Sequence, residues 1–324
     1  MTLFVEQFDT SGAINTTRSW VFYGTEDENG TRLQVDGGYC GFDSELMAIT
    51  LRTWPRRESH FRLNFMDGTG KVIGSMRVAN PVKGPFPVWS PQPLPQTRTN
   101  GPIVLTLRSV RESHPNSLWP AVRPNWGLSW SDPQWRWADV RSVTFHDATG
   151  NEGRWLPRDE PALKAAVLVY RRGMDDFLPA ERIIVENVAI PKTAEFVALD
   201  QTFERAGVKI ILQVLVGESG RSTSSNGRVT IENWGSDRTL LKFETQNQQA
   251  DDVIELILRD DLGEILKVDF SDSHSYTATN RTYRHRFSPP AEAKSISIEM
   301  AVNRPLPFEF IFSPHDIQAP LPAK

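Results

Sequence analysis

Apolar and polar residues alternate in short runs from one end of this chain to the other, with a period of two rather than 3.6. The runs are Leu46–Thr53, Phe61–Met66, Ile103–Arg108, Val140–Phe145, Ala165–Tyr170 and Arg182–Val188, then Val208–Val216, Val229–Glu232 and Leu240–Glu244. Val253–Leu258, Ile265–Phe270, Tyr283–Phe287, Ser295–Val302 and Phe308–Phe312 complete the series. Each has strand length and strand composition, and half-buried strands are expected wherever the alternation is clean. Val208–Val216 is continuously apolar, so a strand buried on both faces is expected there. Helix is expected only as one-turn pieces, at Glu160–Ala165 and Thr193–Phe196.

Turn chemistry sits between the runs. Asp-x-x-Gly followed by a polar residue occurs at Asp67–Gly70, Asp147–Gly150 and Asp260–Gly263. Aspartate folds its carboxylate onto nearby amides and glycine accepts positive φ, so each reads as a tight hairpin connection. Calcium ligation by these loops is the weaker reading, because calcium loops offer more acidic residues at alternate positions.

Two stretches break the pattern. Asn80–Gly101 carries prolines at 81, 85, 87, 91, 93 and 95, and proline lacks the amide that a central strand needs. Glu218–Gly227 is polar and rich in Ser and Gly, and reads as a flexible loop or linker. The expected organisation is a β-sandwich at 1–92, a proline-rich linker at 93–100, a second sandwich at 101–218 and a third at 226–324. The second carries a Trp/Pro-rich excursion at 115–137. The expected fold class is all-β: tandem antiparallel β-sandwich domains, immunoglobulin-like, with little helix.

Composition narrows the function classes. The 324 residues are 39% hydrophobic and 23% charged, the balance of a folded globular chain rather than a disordered one. The net charge of −4, with arginines scattered among acidic residues, argues against a nucleic-acid partner, which selects for a basic face. The single cysteine, Cys40, excludes an internal disulfide and a cysteine-built zinc site, and a buried thiol is its expected state. The N-terminus has no signal-peptide pattern and no window reaches the ~20 apolar residues of a membrane helix, so a soluble chain without a membrane span is expected.

Motifs for chemistry are sparse. Gly68-Thr69-Gly70-Lys71 is not a phosphate loop, because Val72 stands where Ser or Thr is needed and a strand follows. Gly217-Glu218-Ser219-Gly220-Arg221 lacks the second glycine of a nucleophile elbow. The six histidines show no His-x-His or His-x-x-x-His spacing, and no cofactor, metal or catalytic residue is assigned.

The unusual feature is aromatic. Trp119, Trp126, Trp130, Trp135 and Trp137 cluster among prolines, with Asn125 and Asp132 beside them. Indoles on an open face stack on sugar rings while an acid or amide holds hydroxyls, which makes these seven residues the candidate ligand site. The competing reading is a satellite core, each ring burying ~150–250 Å².

Several segments together resemble a group of bacterial multi-domain all-β proteins of unassigned activity. They are Leu51-Arg52-Thr53-Trp54-Pro55-Arg56-Arg57, Phe65–Lys71, Asn80-Pro81, Trp89–Thr99, Asp147–Asn151 and Glu160-Pro161-Ala162. The resemblance spans roughly residues 45–220 and implies a multi-domain accessory protein associated with the bacterial envelope, with no catalytic residues to carry over. The expected function is therefore a non-catalytic interaction or structural protein with a protein or glycan partner. The alternative is a carbohydrate-binding or carbohydrate-active protein using Trp119–Trp137.

Overall fold

The computed structural model describes residues 2–6, 22–28, 30, 32–34, 39–42, 46–51, 53–66, 69, 71–82, 84–112, 124–131, 139–153, 160–192, 195–225, 228–275 and 277–318. The first strands in chain order are Thr2–Glu6 (β1), Phe22–Glu26 (β2), Arg32–Gln34 (β3), Tyr39–Phe42 (β4), Leu46–Thr50 (β5), His60–Met66 (β6) and Val72–Ala79 (β7). Gln96–Asn100 (β8), Ile103–Glu112 (β9), Pro124–Ser131 (β10), Asp139–Asp147 (β11), Leu163–Tyr170 (β12), Arg182–Ala189 (β13) and Phe196–Arg205 (β14) follow. The last are Val208–Ser225 (β15), Arg228–Gln246 (β16), Val253–Asp260 (β17), Val268–Ser275 (β18), Arg281–Phe287 (β19), Ser295–Asn303 (β20), Leu306–Phe312 (β21) and Ile317–Gln318 (β22).

The protein is all-β. The described helical pieces are single 3-10 turns at Met174–Asp176, Pro179–Glu181 and Pro314–Asp316. The expected turn at Glu160–Ala165 does not form as such, and the one at Thr193–Phe196 falls partly outside the described residues. Leu163 already opens β12, Phe196 opens β14, and residues 193 and 194 lie outside the described residues.

Contacts divide the chain into two compact units, residues 1–133, 140–169 and 307–324 in one and 134–139 and 170–306 in the other. The first unit holds sheets ordered β1-β5-β4, β3-β2-β6-β7, β10-β9-β22 with β8 also on β9, and β11-β12-β21. The second holds β13-β20-β17 and β14-β15-β16-β19-β18, antiparallel throughout. One apolar cluster collects residues from both of its sheets, among them Ile183, Ile298 and Leu258 from the first and Ile210, Phe243 and Phe287 from the second.

Alternation decides which side chains reach these cores. Along β12 the odd positions Leu163, Ala165, Val167 and Val169 are buried while Lys164, Ala166 and Leu168 are only half-buried. β15 corrects the expectation of a strand buried on both faces. Val208, Ile210 and Leu212 are fully buried and the residues between them half-buried. A bulge between Leu212 and Val214 then shifts the buried position to Leu215. Apolar side chains on the outer face simply remain partly open to water.

The polar segment 218–225 is also not a loop. Gly220–Ser225 pairs residue by residue with Arg228–Asn233, extending the β15-β16 hairpin well past the stretch that pairs with β14 and β19. Its backbone finds ladder partners although its composition is that of a loop. The proline-rich stretch is irregular from Pro81 to Pro95, but Gln96–Asn100 joins β9 as a strand. The Gln96 side chain donates to the carbonyls of Gln92 (2.7 Å) and Ile311 (2.8 Å).

The Asp147–Gly150 and Asp260–Gly263 turns have one geometry. Asp147 N–H donates to Asn151 C=O (3.1 Å) and Gly150 N–H returns to Asp147 C=O (3.2 Å); Asp260 makes the same pair with Glu264 and Gly263 at 3.0 Å each. Both glycines are left-handed, φ +94° and +87°. The carboxylates cap amides inside the turns, Asp147 at Thr149 and Asn151, Asp260 at Leu262 and Glu264. Residues flanking the aspartate by −1 and +5 pair, as His146↔Glu152 and Arg259↔Ile265. The pairs Met66↔Val72 and Glu26↔Arg32 show the same spacing. The latter brackets a further Asp-x-x-Gly at Asp27–Gly30, where Gly30 has φ +82° and donates to Asp27 C=O at 3.2 Å.

Candidate functional site

The β6-β7 hairpin gathers three features in one place: an open sheet edge, a cleft, and a buried polar anchor beneath both. β6 forms because Phe61 and Leu63 drive one face into a core shared with Leu51 and Trp54. β7 is paired to it from Val72 to Ala79, and among the described strands nothing pairs its other side. Almost the whole of β7 is exposed on both faces, with Ile73 60% and Met76 42% open to solvent. Met76 lies opposite the fully buried Leu63, so the core runs out between these two strands.

On the other face, Arg62 and Arg77 stand directly opposite each other. Like charges in that relation repel, and carboxylates from the β2 end compensate them. Arg62 donates to Glu26 Oε1 at 3.1 Å and Arg77 to Glu28 Oε1 at 3.5 Å. Glu26 is largely buried and takes a second bond from Asn64 Nδ2 at 3.0 Å. The Arg77–Glu28 pair is open to solvent on both sides, so its contribution is at most about 1 kcal/mol. Glu26, Glu28, Arg62 and Arg77, with Asp27, Gly30, His60 and Phe61, line a cleft of about 290 Å³. Its lining mixes both signs of charge, which suits short polar or zwitterionic groups better than an apolar ligand.

Asn80 anchors the hairpin at its base. Its Nδ2 donates to Pro55 C=O and Glu58 C=O (2.9 Å each), and its Oδ1 accepts from Trp54 Nε1 (3.2 Å) and Val82 N–H (3.1 Å). Trp54 is held in turn by Asn151 of the 147–151 turn, and the Arg56 guanidinium lies 3.7 Å above the Trp54 ring. Burial lowers the Arg56 pKa, and the Asp147 carboxylate opposes that shift. The buried Glu160 receives Arg57 through two bonds, 3.0 and 2.8 Å. Asn80, Asn151 and Glu160 all spend their side chains on internal partners, which is the signature of a structural network.

The sequence-derived site residues fall elsewhere. Asn125, Trp126 and Trp130 lie on β10, in register with Arg111, Val110 and Leu105 of β9. Trp119, Asp132, Trp135 and Trp137 lie outside the described residues. β7 itself has no alternating signature, because an edge strand open on both faces needs none. The signal that marks it is the Asp-x-x-Gly pattern at 67–70, which reads in sequence as a hairpin connection and so calls for a strand at Val72. Among the described residues no three His, Cys, Asp or Glu side chains converge as a metal site. No described helix is long and apolar enough to cross a membrane.

Comparison with known proteins finds no matching family model, no matching curated protein and no matching solved structure.

Proposed function

We propose that this chain is a non-catalytic interaction protein, built of antiparallel β-sandwich domains of immunoglobulin-like character, that takes its partner as an added strand along β7. The observation that carries this is the eight-residue β7, exposed on both faces over most of its length and, among the described strands, unpaired on its outer edge. An open edge offers a row of backbone donors and acceptors, and an extended polypeptide satisfies them by strand addition. That chemistry favours a peptide partner over a glycan. The sandwich reading of the second unit is supported by its larger apolar cluster, fed from both sheets.

The test uses affinity capture with the parent chain and two variants, Gly74→Pro and Ser75→Pro. Adjacent residues in a strand send their amides to opposite sides, so one of these prolines removes a bond to β6 and the other an outward donor. Thermal unfolding identifies the variant that leaves the fold intact. That variant is expected to lose the partners the parent retains; retention of the same partners by both variants overturns the reading.

A further inference from the structure

The described edge strands of the second unit are each blunted against pairing, and β7 is not. β14 is bulged between Ala198 and Gln201 around a left-handed Asp200, and β13 is bulged between Val185 and Val188 around a left-handed Asn187. β18 is bulged near its start and carries Asp269, Asp272 and His274, while β17 carries Glu255, Arg259 and Asp260. Bulges and charges of this kind protect sheet edges from unwanted partners. β7 has no proline, one charged residue (Arg77) and a bulge only at its first pair. A long edge left open in this way is itself a binding surface.

We propose that β7 is the seam of a homodimer: the second copy of this chain pairs its own β7 antiparallel to the first, joining two four-stranded sheets into one of eight. The inference rests on reading β7 as a docking edge and commits that edge to one occupant. Symmetry selects the register. Antiparallel strands related by a two-fold axis keep their faces, so residues directly opposite must share a face and the axis must pass through a residue. With the axis at Ser75, Ser75 meets its own copy and Gly74 meets Met76 of the second copy. Gly74 and Met76 lie on the same face, opposite Phe65 and Leu63. A side chain added at Gly74 would meet nothing within 4 Å, and the exposed Met76 side chain is the right occupant for that space. Arg77 then faces a residue other than its own copy, so no like charges meet across the seam. Placing the axis at Met76 instead sets two exposed methionines against each other and leaves Gly74 against Val78. The Ser75-centred register complements large with small on both sides.

The test is sedimentation equilibrium of the intact chain across a wide concentration range, with three variants. The parent is expected to approach twice the chain mass, and Ser75→Lys, which sets two ammonium groups face to face at an exposed position, to remain monomeric with unchanged thermal unfolding. Ser75→Cys is expected to form a covalent dimer under mild oxidation, whereas Ala79→Cys, not opposed to itself in this register, is not. Cys40 is common to all of them. A parent that stays monomeric throughout overturns self-pairing, and the capture experiment with the proline variants then decides separately whether β7 takes a different chain. A dimer that survives Ser75→Lys and gives no Ser75→Cys cross-link overturns the seam itself.

Discussion

Asn151 completes the backbone hydrogen bonding of Trp54 across 97 positions of sequence: its Oδ1 accepts from Trp54 N–H at 3.1 Å and its Nδ2 donates to Trp54 C=O at 2.9 Å. The amide thereby does for Trp54 what a neighbouring strand does for a ladder residue. The same Nδ2 donates to Asp147 Oδ2 at 2.7 Å, so the hairpin turn and the segment leading into β6 are held by one side chain. Asn151→Ala strands a buried donor and a buried acceptor at Trp54 and one oxygen of Asp147. At about 1–3 kcal/mol for each group left unpaired, the expected loss is on the order of 3 kcal/mol or more. Urea unfolding of the variant measures it. Asn151→Asp is expected to be worse still at neutral pH, because a second carboxylate then sits against Asp147.

The two glycine turns separate strain from crowding. Gly263 has φ +87° and open space where a Cβ would sit, so Gly263→Ala is expected to cost only the left-handed strain, about 1–2 kcal/mol. Gly150 has φ +94°, but its added Cβ would lie 2.9 Å from Arg56 Nη1. That guanidinium donates to Thr149 C=O at 3.2 Å and rests on the Trp54 ring. Gly150→Ala should therefore cost more than Gly263→Ala in paired thermal unfolding experiments. Equal costs would mean that Arg56 moves aside freely.

What the sequence made legible follows from what each element buries. Strands such as β12 and β20 alternate because one face meets a core, and the hairpin turns are marked by the Asp and Gly that their backbone requires. β7 and β8 bury little, so their composition is free to look like loop. β14 is obscured by its bulge and by the left-handed Asp200. Pairing is a different matter. β21 lies beside β12, and Lys164 of β12 reaches Glu309 of β21 at 2.8 Å over 145 positions. No local pattern encodes a return of that length. The β6-β7 site was hidden for both reasons: an edge strand without periodicity, and a cleft assembled from β2, β6 and β7.

The register of β10 makes the tryptophan cluster testable. Trp126 and Trp130 sit opposite Val110 and Leu105, both fully buried. Directly opposed residues of an antiparallel pair share a face, so these two register positions correspond to the buried face of β9. Trp130→Ala is expected to lower stability by about 3–5 kcal/mol, the usual cost of emptying a large aromatic position. The parent protein's tryptophan emission should stay unchanged across a panel of soluble polysaccharides. A saccharide-induced shift that Trp130→Ala abolishes would restore the glycan reading for this segment.

His285 gives the protein an acid-sensitive core. It stands on β19 between Leu241 of β16 and Ser271 of β18, its ring parallel to Phe243 at 5.6 Å and to Tyr283 at 6.1 Å. Burial among these groups lowers its pKa from 6.5 to about 4. The folded state thus holds the imidazole neutral where the unfolded chain has already bound a proton. Stability rises with pH wherever the unfolded state binds more protons, so it is complete above pH 6.5 and declines as pH falls toward 4. A shift of this size corresponds to about 3 kcal/mol over that window. His146, also lowered chiefly by burial, acts in the same sense in the first unit. Urea unfolding between pH 4 and 7 should show the acid limb, and His285→Phe, which keeps a ring beside the stacked Phe243 and Tyr283, should flatten the part of it that belongs to the second unit. An unchanged limb in that variant would move the acid sensitivity to other groups.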